Sequence, residues 1–294
     1  MPDAPRFIGA ADLHVHSVVS DGTETPAALM AEAAEVGLAA IALTDHDATT
    51  GWAEAAGAVD RTGVALIPGM ELSTREGYVS VHVLGYLFDP LDEDLLAETA
   101  RIRESRLTRA ETIVRRISRD YDLDWDDVLA QTAEGATIGR PHIADALVAR
   151  GHVADRSAAF AGILHPRMGY AQPHYAPDPL TGVRLIRAAG GVPVLAHPGT
   201  RGAERVISDA RLAQLVDAGL FGLEVEHPEN RPDAKRRLRD LAARFDLAIT
   251  GASDYHGTGK VNRLGEQQTA AEVVDRIVAE GTGSAPVLPS PSVE

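Results

Sequence analysis

Histidines and carboxylates fall at the ends of short apolar runs along this chain, and that placement constrains its fold more than any other feature. Seven segments rich in Val, Ile, Leu and Ala read as strands: Ile8–Leu13, Leu38–Leu43, Val64–Pro68, Val79–Leu87, Val192–Ala196, Phe221–Val225 and Leu247–Thr250. The first runs into His14-Val15-His16, the second into Thr44-Asp45-His46-Asp47, and the third into Gly69-Met70-Glu71. The fifth runs into His197-Pro198-Gly199 and the seventh into Ser253-Asp254-Tyr255-His256-Gly257, while His82 lies inside the fourth. Helical patterns separate several of them. Thr25-Pro26 opens Ala27–Glu35 and Gly37 stops it, Asp209 opens Ala210–Ala218 before Gly219, and Pro232 opens Asp233–Phe245. This rhythm predicts parallel βαβ units in an α/β fold, and seven strands suit a distorted barrel better than the regular eight-fold one. In such a barrel reactive groups collect at the C-terminal strand ends, where these side chains stand.

Between Leu91 and Ala176 the rhythm stops, and no strand pattern is readable. Leu95–Arg119 reads as one long charged helix, and Asp124–Gln131, Pro141–Arg150 and Asp155–Leu164 as shorter ones. The predicted organisation is a discontinuous barrel domain (1–90 and 177–283), a helical insertion (91–176) and a disordered tail (284–294) rich in proline and serine. Arg101, Arg103, Arg106, Arg109, Arg115, Arg116 and Arg119 alternate with Glu98, Glu104 and Glu111 on the long helix. They read as a solvated, salt-bridged face.

Composition excludes several chemistries. The 294 residues contain no cysteine, which removes disulfides, thiolate metal sites, iron–sulfur clusters and cysteine nucleophiles. A formal charge of −15 argues against a long nucleic-acid groove. No run reaches the ~18 apolar residues of a membrane span, and Met1–Phe7 lacks a secretory apolar core. The expectation is a cytoplasmic protein that engages no membrane and needs no obligate protein partner.

Spacing explains the donor chemistry. Residues two apart on extended chain face the same side, so His14 and His16 both look into the barrel mouth, as do Asp254 and His256. Six histidines (His14, His16, His46, His82, His197, His256) and three carboxylates (Asp21, Glu71, Asp254) then converge. Imidazole and carboxylate without thiolate suit zinc, manganese or iron. Nine donors exceed what one ion takes and fit two or three, one carboxylate bridging. The competing reading of each residue alone is structural: a histidine hydrogen-bonded at a strand end, Asp45 and Asp47 as caps or supports of a ligand, Glu224 and Glu226 as structural acceptors.

At these residues the sequence resembles the PHP (polymerase and histidinol phosphatase) family of metal-dependent phosphoesterases. The matching motifs are Asp12-Leu13-His14-Val15-His16-Ser17 with Ser20-Asp21-Gly22, Thr44-Asp45-His46-Asp47, Gly69-Met70-Glu71, His82, Ala196-His197-Pro198-Gly199 and Ser253-Asp254-Tyr255-His256. The resemblance implies a distorted seven-stranded barrel with three metal ions. One ion would take His14, His16, Glu71 and Asp254, a second Glu71, His82 and His197, and a third Asp21, His46 and His256. Gly139-Arg140-Pro141-His142-Ile143-Ala144 and Ala188–Val194 resemble the branch with a helical insertion. That branch includes nucleoside 3′,5′-bisphosphate phosphatases and enzymes acting on 5′ ends of short RNA. The stretch Ala161–Tyr175 departs from the family pattern, and His165 and His174 find no counterpart there.

The implied chemistry is phosphate-ester hydrolysis by a metal-bridging hydroxide, with two or three divalent ions, manganese foremost and iron or zinc as alternatives. Arg140 and His142, opening a helix, are the predicted grip on a second substrate phosphate; the alternative is an Arg140–Asp145 ion pair. His227 is the candidate proton donor to the leaving oxygen and a second phosphate contact, or else a loop histidine, and Asp45 stands with it among the catalytic candidates. The leading substrate is the 3′-phosphate of a small 3′,5′-bisphosphonucleotide. A 5′-to-3′ exonuclease on short oligonucleotides, a cyclic-phosphate or histidinol phosphatase, and a non-catalytic metal-binding interaction module are the alternatives.

Overall fold

A computed structural model of the chain describes residues 7, 9–200 and 202–291. Ile8, in the first predicted strand, and Met1–Arg6 lie outside the described residues. Seven strands occur among them: β1 (Ala11–Val15), β2 (Ala40–Leu43), β3 (Ala65–Glu76), β4 (Val79–Tyr86), β5 (Val192–Leu195), β6 (Gly222–Glu226) and β7 (Ala248–Gly251). They form one sheet in sequence order. The ends nearly close. His16 N donates to Tyr255 O at 2.9 Å, just past β7, and Ala11 bridges Thr269. The result is a distorted seven-stranded α/β barrel.

The expectation of parallel units throughout is corrected at β4. β3 and β4 form an antiparallel hairpin around Gly77-Tyr78, and β4 is antiparallel to β5 as well. β3 also runs on past the predicted end at Pro68, as far as Glu76. Its polar residues Glu71 and Ser73 alternate with Met70 and Leu72, which pack into the core. Pairing with β4 satisfies their backbone groups. Because β4 runs the other way, its first half lies at the mouth, and His82 sits in that half.

Helix signals in the sequence are used as read. Thr25 caps Pro26–Glu35 through a bond from Ala28 N, and Gly37 ends that helix at φ 77°. Ser208, one residue before the predicted opener, caps Asp209–Asp217. Pro179–Ala188 and Ala271–Glu280 are helices that the sequence reading did not single out. Both bury one face against the barrel, through Val183 and Ile186 and through Val274 and Ile277.

The long helix of the insertion spans Glu93–Ile117, and Trp125–Leu129, Arg140–Ala149 and Arg156–Ala161 follow it. Ala110, Ile113, Val114 and Ile117 pack with Val128, Ile143, Leu147 and Ile163 in a hydrophobic cluster of their own. The arginines of the long helix do not make the predicted salt-bridged face: among the described residues none pairs with Glu98, Glu104 or Glu111. They tie down loops instead. Arg103 donates to Gly135 O at 2.6 Å, and Arg116 to Ala171 O at 2.7 Å and Gln172 Oε1 at 2.8 Å.

The tail predicted to be disordered is anchored as far as it is described. Val287 exchanges two backbone bonds of 2.9 Å with Leu66, and Ser290 N donates to Asp60 Oδ1 at 2.8 Å. An edge of the β3 backbone is thereby paired, which outweighs the proline content of the segment. Ser292–Glu294 lie outside the described residues. No helix among the described residues is long and apolar enough to cross a membrane.

Candidate metal centre

All nine predicted donors are buried and meet at the C-terminal mouth of the barrel. Glu71 is the hub. Its Oε1 lies 2.6 Å from His82 Nδ1 and 3.0 Å from His197 Nε2. Its Oε2 lies 3.1 Å from His46 Nδ1, 3.2 Å from His16 Nε2 and 3.3 Å from His14 Nε2. Asp254 Oδ1 stands 3.4 Å from His16 Nε2 and 3.6 Å from His14 Nε2. On the other side of His16, Asp21 Oδ1 is 3.6 Å from Nδ1 and 3.2 Å from His256 Nε2.

The backbone bends to make this possible. His197 and Asp254 both adopt left-handed conformations, at φ 30° and 54°, and so does Asp47 at 52°. Such angles are rare outside glycine and asparagine-like residues and cluster at working sites. Gly22, after Asp21, packs so closely on the His16 carbonyl that a Cβ there would overlap it.

Four sets of three donors have ligand atoms within 4.8 Å of one another: His14-Glu71-His197, His14-His16-Asp254, His16-His46-Glu71 and His16-Asp21-His256. His14 Nε2 and His16 Nε2 approach to 3.0 Å inside a cage of carboxylates, and His46 Nδ1 is buried without a hydrogen bond. Three acids and clustered lone pairs aimed at common points are a donor set for divalent cations. In the protein alone, protons carry the compensating charge. Burial disfavours imidazolium, yet Glu224, Glu71 and Asp254 raise His14 well above its usual range. For His16 the bonds to Asp254 and Glu71 likewise overcome burial and raise it to about 9. Glu71, Asp21 and Asp254 are held well below the usual carboxylate range, their histidine neighbours (and Lys260 for Asp254) overriding burial.

Around these donors lies a supporting layer. Glu224 is wholly buried and accepts from His14 Nδ1 at 2.9 Å and from His197 N at 2.7 Å. Ser80 Oγ meets His82 Nε2 at 3.0 Å. Asp47 accepts from Ser73 N and Ser73 Oγ, each at 2.7 Å. Asp45, expected among the catalytic groups, is hydrogen-bonded within this layer. Its Oδ1 takes Ser17 N at 2.8 Å and Ser20 Oγ at 2.6 Å, and its Oδ2 takes Ser17 Oγ at 2.7 Å. With both oxygens engaged, it fixes the loop that carries Asp21.

The predicted substrate contacts fare unequally. His227 is fully buried, its Nδ1 accepts from Glu229 N at 3.1 Å, and its Nε2 points at Asp254 Oδ2 from 3.4 Å. His142 is also buried, but its Nδ1 accepts from Gly139 N at 3.1 Å, so it caps its own helix. The Arg140–Asp145 pair does not form as the alternative reading had it: Arg156 holds Asp145 in a fork of two 2.5 Å bonds. Arg140 instead lies over the Phe160 ring, 5.2 Å from its centroid. Lys260, which sequence reasoning missed, reaches Asp254 Oδ2 at 2.5 Å. No motif marks it, since it reaches the site only because the chain turns back after His256.

The PHP domain family matches residues 12–135. The 3′,5′-nucleoside bisphosphate phosphatase of Chromobacterium violaceum is 34% identical over 86% of this chain and 89% of its own length. The 5′-3′ exoribonuclease Rnm of Escherichia coli is 31% identical over 83% of this chain and 84% of its own. Among solved structures, a Bifidobacterium adolescentis protein named as a metal-dependent phosphoesterase superposes with a TM-score of 0.91 at 43% identity, covering 95% of this chain and 98% of that one. With this likeness over most of its length and a buried cluster of histidines and carboxylates, the chain belongs to the PHP family of metal-dependent phosphoesterases.

Proposed function

We propose that this enzyme removes the 3′-phosphate from a small nucleoside 3′,5′-bisphosphate, using two or three divalent ions with manganese foremost, in the cytoplasm. The carrying observation is the convergence of its histidines and carboxylates on Glu71, in a chain 34% identical to a relative named for that substrate. In this reading one ion takes His14, His16, Glu71 and Asp254, a second Glu71, His82 and His197, and a third Asp21, His46 and His256. When bound, such ions supply Lewis acidity toward phosphate oxygens and a water acidified toward neutral pH.

The protein's own groups do the rest. Glu224 accepts the Nδ1 proton of His14 and so keeps Nε2 as the free donor atom. The Glu229 amide on His227 Nδ1 puts the proton of the neutral ring on Nε2. That N–H points toward Asp254 Oδ2 beside the metal donors, where it can donate a hydrogen bond to the leaving oxygen as negative charge develops on it. Lys260 and Arg140 add positive charge against a substrate that brings two phosphates. Phosphate release from adenosine 3′,5′-bisphosphate with manganese tests the reading; turnover of histidinol phosphate but not of this nucleotide would sink it.

A second reading, 5′-to-3′ exonuclease action on short oligonucleotides, draws on the relatives of that name. A ladder assay on a 5′-phosphorylated oligonucleotide separates the two, since stepwise shortening belongs to the second reading alone.

A further inference from the structure

β5 and β6 are paired only as far as Leu195 and Leu223. Beyond that register the ladder between them ends. β5 runs into the His197 turn, where φ is 30°, and β6 slips register against β7 between Glu224 and Glu226. The side chain of Asn230 is buried and bridges the two chains at this point. Its Oδ1 accepts from Gly199 N at 3.0 Å, and its Nδ2 donates to Glu224 O and Val225 O, each at 3.0 Å. One amide group thus does across the gap what a further length of strand would do, pairing an N–H on one side and carbonyls on the other. Asn230 N donates to His227 O at 3.1 Å and closes the turn that brings the side chain inward.

The chemistry of this side chain is specific. A carboxamide offers two N–H donors and a carbonyl acceptor. The two backbone carbonyls need the donors and the Gly199 amide needs the acceptor, so one orientation satisfies all three. A shorter side chain would leave these buried backbone groups unpaired. The fit is close: a Cβ on Gly199 would stand 2.6 Å from Asn230 Oδ1, so that position takes glycine. What the clamp holds is the site itself. His197, two residues before Gly199, aims its Nε2 at Glu71 Oε1 from 3.0 Å. Thr200 N and Thr200 Oγ1 both donate to the His197 carbonyl at 3.1 Å. Glu224, whose backbone carbonyl Asn230 holds, accepts from His14 Nδ1 and His197 N through its carboxylate. A left-handed backbone at a residue with a branched ring side chain persists only where its surroundings over-determine it. Glu224 on the His197 amide and Asn230 on the Gly199 amide supply that from both sides.

We propose that Asn230 is a positioning residue of the metal centre: its amide locks the His197 turn to the end of β6, and so sets the direction in which the rings of His197 and His14 present their nitrogens to the ions. It touches no reacting atom. The proposal rests on the reading of His14 and His197 as metal donors.

The test uses the full chain and the variants Asn230→Ala and Asn230→Ser, with His197→Ala as the donor reference. Val59→Ala, on the short helix Val59–Thr62 that leads into the start of β3, removes packing at the opposite end of the barrel and controls for lost stability alone. Each variant is checked for folding by circular dichroism and for melting in chelator. If Asn230→Ala does not fold, Asn230→Ser decides. Manganese retained against rising chelator is then measured. We expect affinity to fall about 10–100-fold in the Asn230 variants and to hold in Val59→Ala at a comparable loss of melting temperature. The visible spectrum of the cobalt-loaded protein, which follows ligand geometry, should shift in Asn230→Ser and stay as in the wild type in Val59→Ala. Wild-type retention or an unchanged cobalt spectrum in Asn230→Ser, or an equal loss of metal in Val59→Ala, overturns the proposal. Failure of the donor reading looks different: His197→Ala then also retains manganese as the wild type does, and the role of Asn230 falls with it. Loss in His197→Ala beside full retention in the Asn230 variants removes the role of Asn230 alone.

Discussion

His14 Nδ1 donates to Glu224 Oε1 at 2.9 Å, and the second oxygen of the same carboxylate holds the His197 amide at 2.7 Å. One buried acid on β6 thus orients two metal-donor segments, one in β1 and one just past β5. A carboxamide cannot accept at both positions. Glu224→Gln should therefore lower metal affinity by about 10–100-fold, read as metal retained after competition with a chelator. Unchanged retention would make Glu224 a packing residue.

Metal and pH should act on stability in opposite senses. His16 is raised from 6.5 to about 9 in the protein without ions, by Asp254 and Glu71 against burial. A raised histidine stabilises the fold below pH ~6.5, and that contribution is lost as pH climbs through about 9. The depressed carboxylates Glu71, Asp21 and Asp254 stabilise above the ordinary carboxylate range and cease to do so in acid. Ion binding needs neutral imidazole and so strengthens over the same rise in pH. Melting temperature between pH 6.5 and 9 should fall by at least ~2 °C in chelator and hold or rise with manganese. Parallel curves would contradict this.

Asp45 should behave as a support. Asp45→Asn removes an acceptor from Ser17 or Ser20, and loss of a buried acceptor costs about 1–3 kcal/mol. Denaturant unfolding should show that loss, with kcat reduced and the shape of the pH–rate profile kept. A vanished limb of the profile would restore Asp45 to the catalytic groups.

His227 should matter in proportion to how poor the leaving group is. His227→Ala is expected to slow nucleotide hydrolysis by about 10²–10³-fold while sparing p-nitrophenyl phosphate, whose leaving group needs no stabilising hydrogen bond. Equal slowing of both would point to a structural role.

Arg156 links the insertion to the barrel: it grips Asp145 through two 2.5 Å bonds and donates to Asp21 O at 2.8 Å. Arg156→Ala should cost about 1–3 kcal/mol and weaken binding of the ion nearest Asp21. Fractional metal content against added manganese checks this, and full occupancy at wild-type concentrations would refute it.

The linear chain by itself determined the strand sites, the helix openers at Thr25 and Pro232, and the donors from His14 to His256. Those follow from local pattern: apolar runs, capping chemistry, and reactive side chains placed where strands end. Only the tertiary structure decided the rest, because the remaining relations join residues far apart in the chain. The reversal of β4 arises from pairing β3 with β4, which no run of residues in either announces. Asp45 is hydrogen-bonded within the supporting layer because Ser17 and Ser20 fold back onto it. Arg106 and Arg109 look like members of a solvated charged face until the 170–174 loop covers them. Lys260 reaches Asp254 only through the turn after His256. Sequence fixes which chemistry is available at each position, whereas burial and long-range hydrogen bonds select which groups face a ligand and which hold the others still.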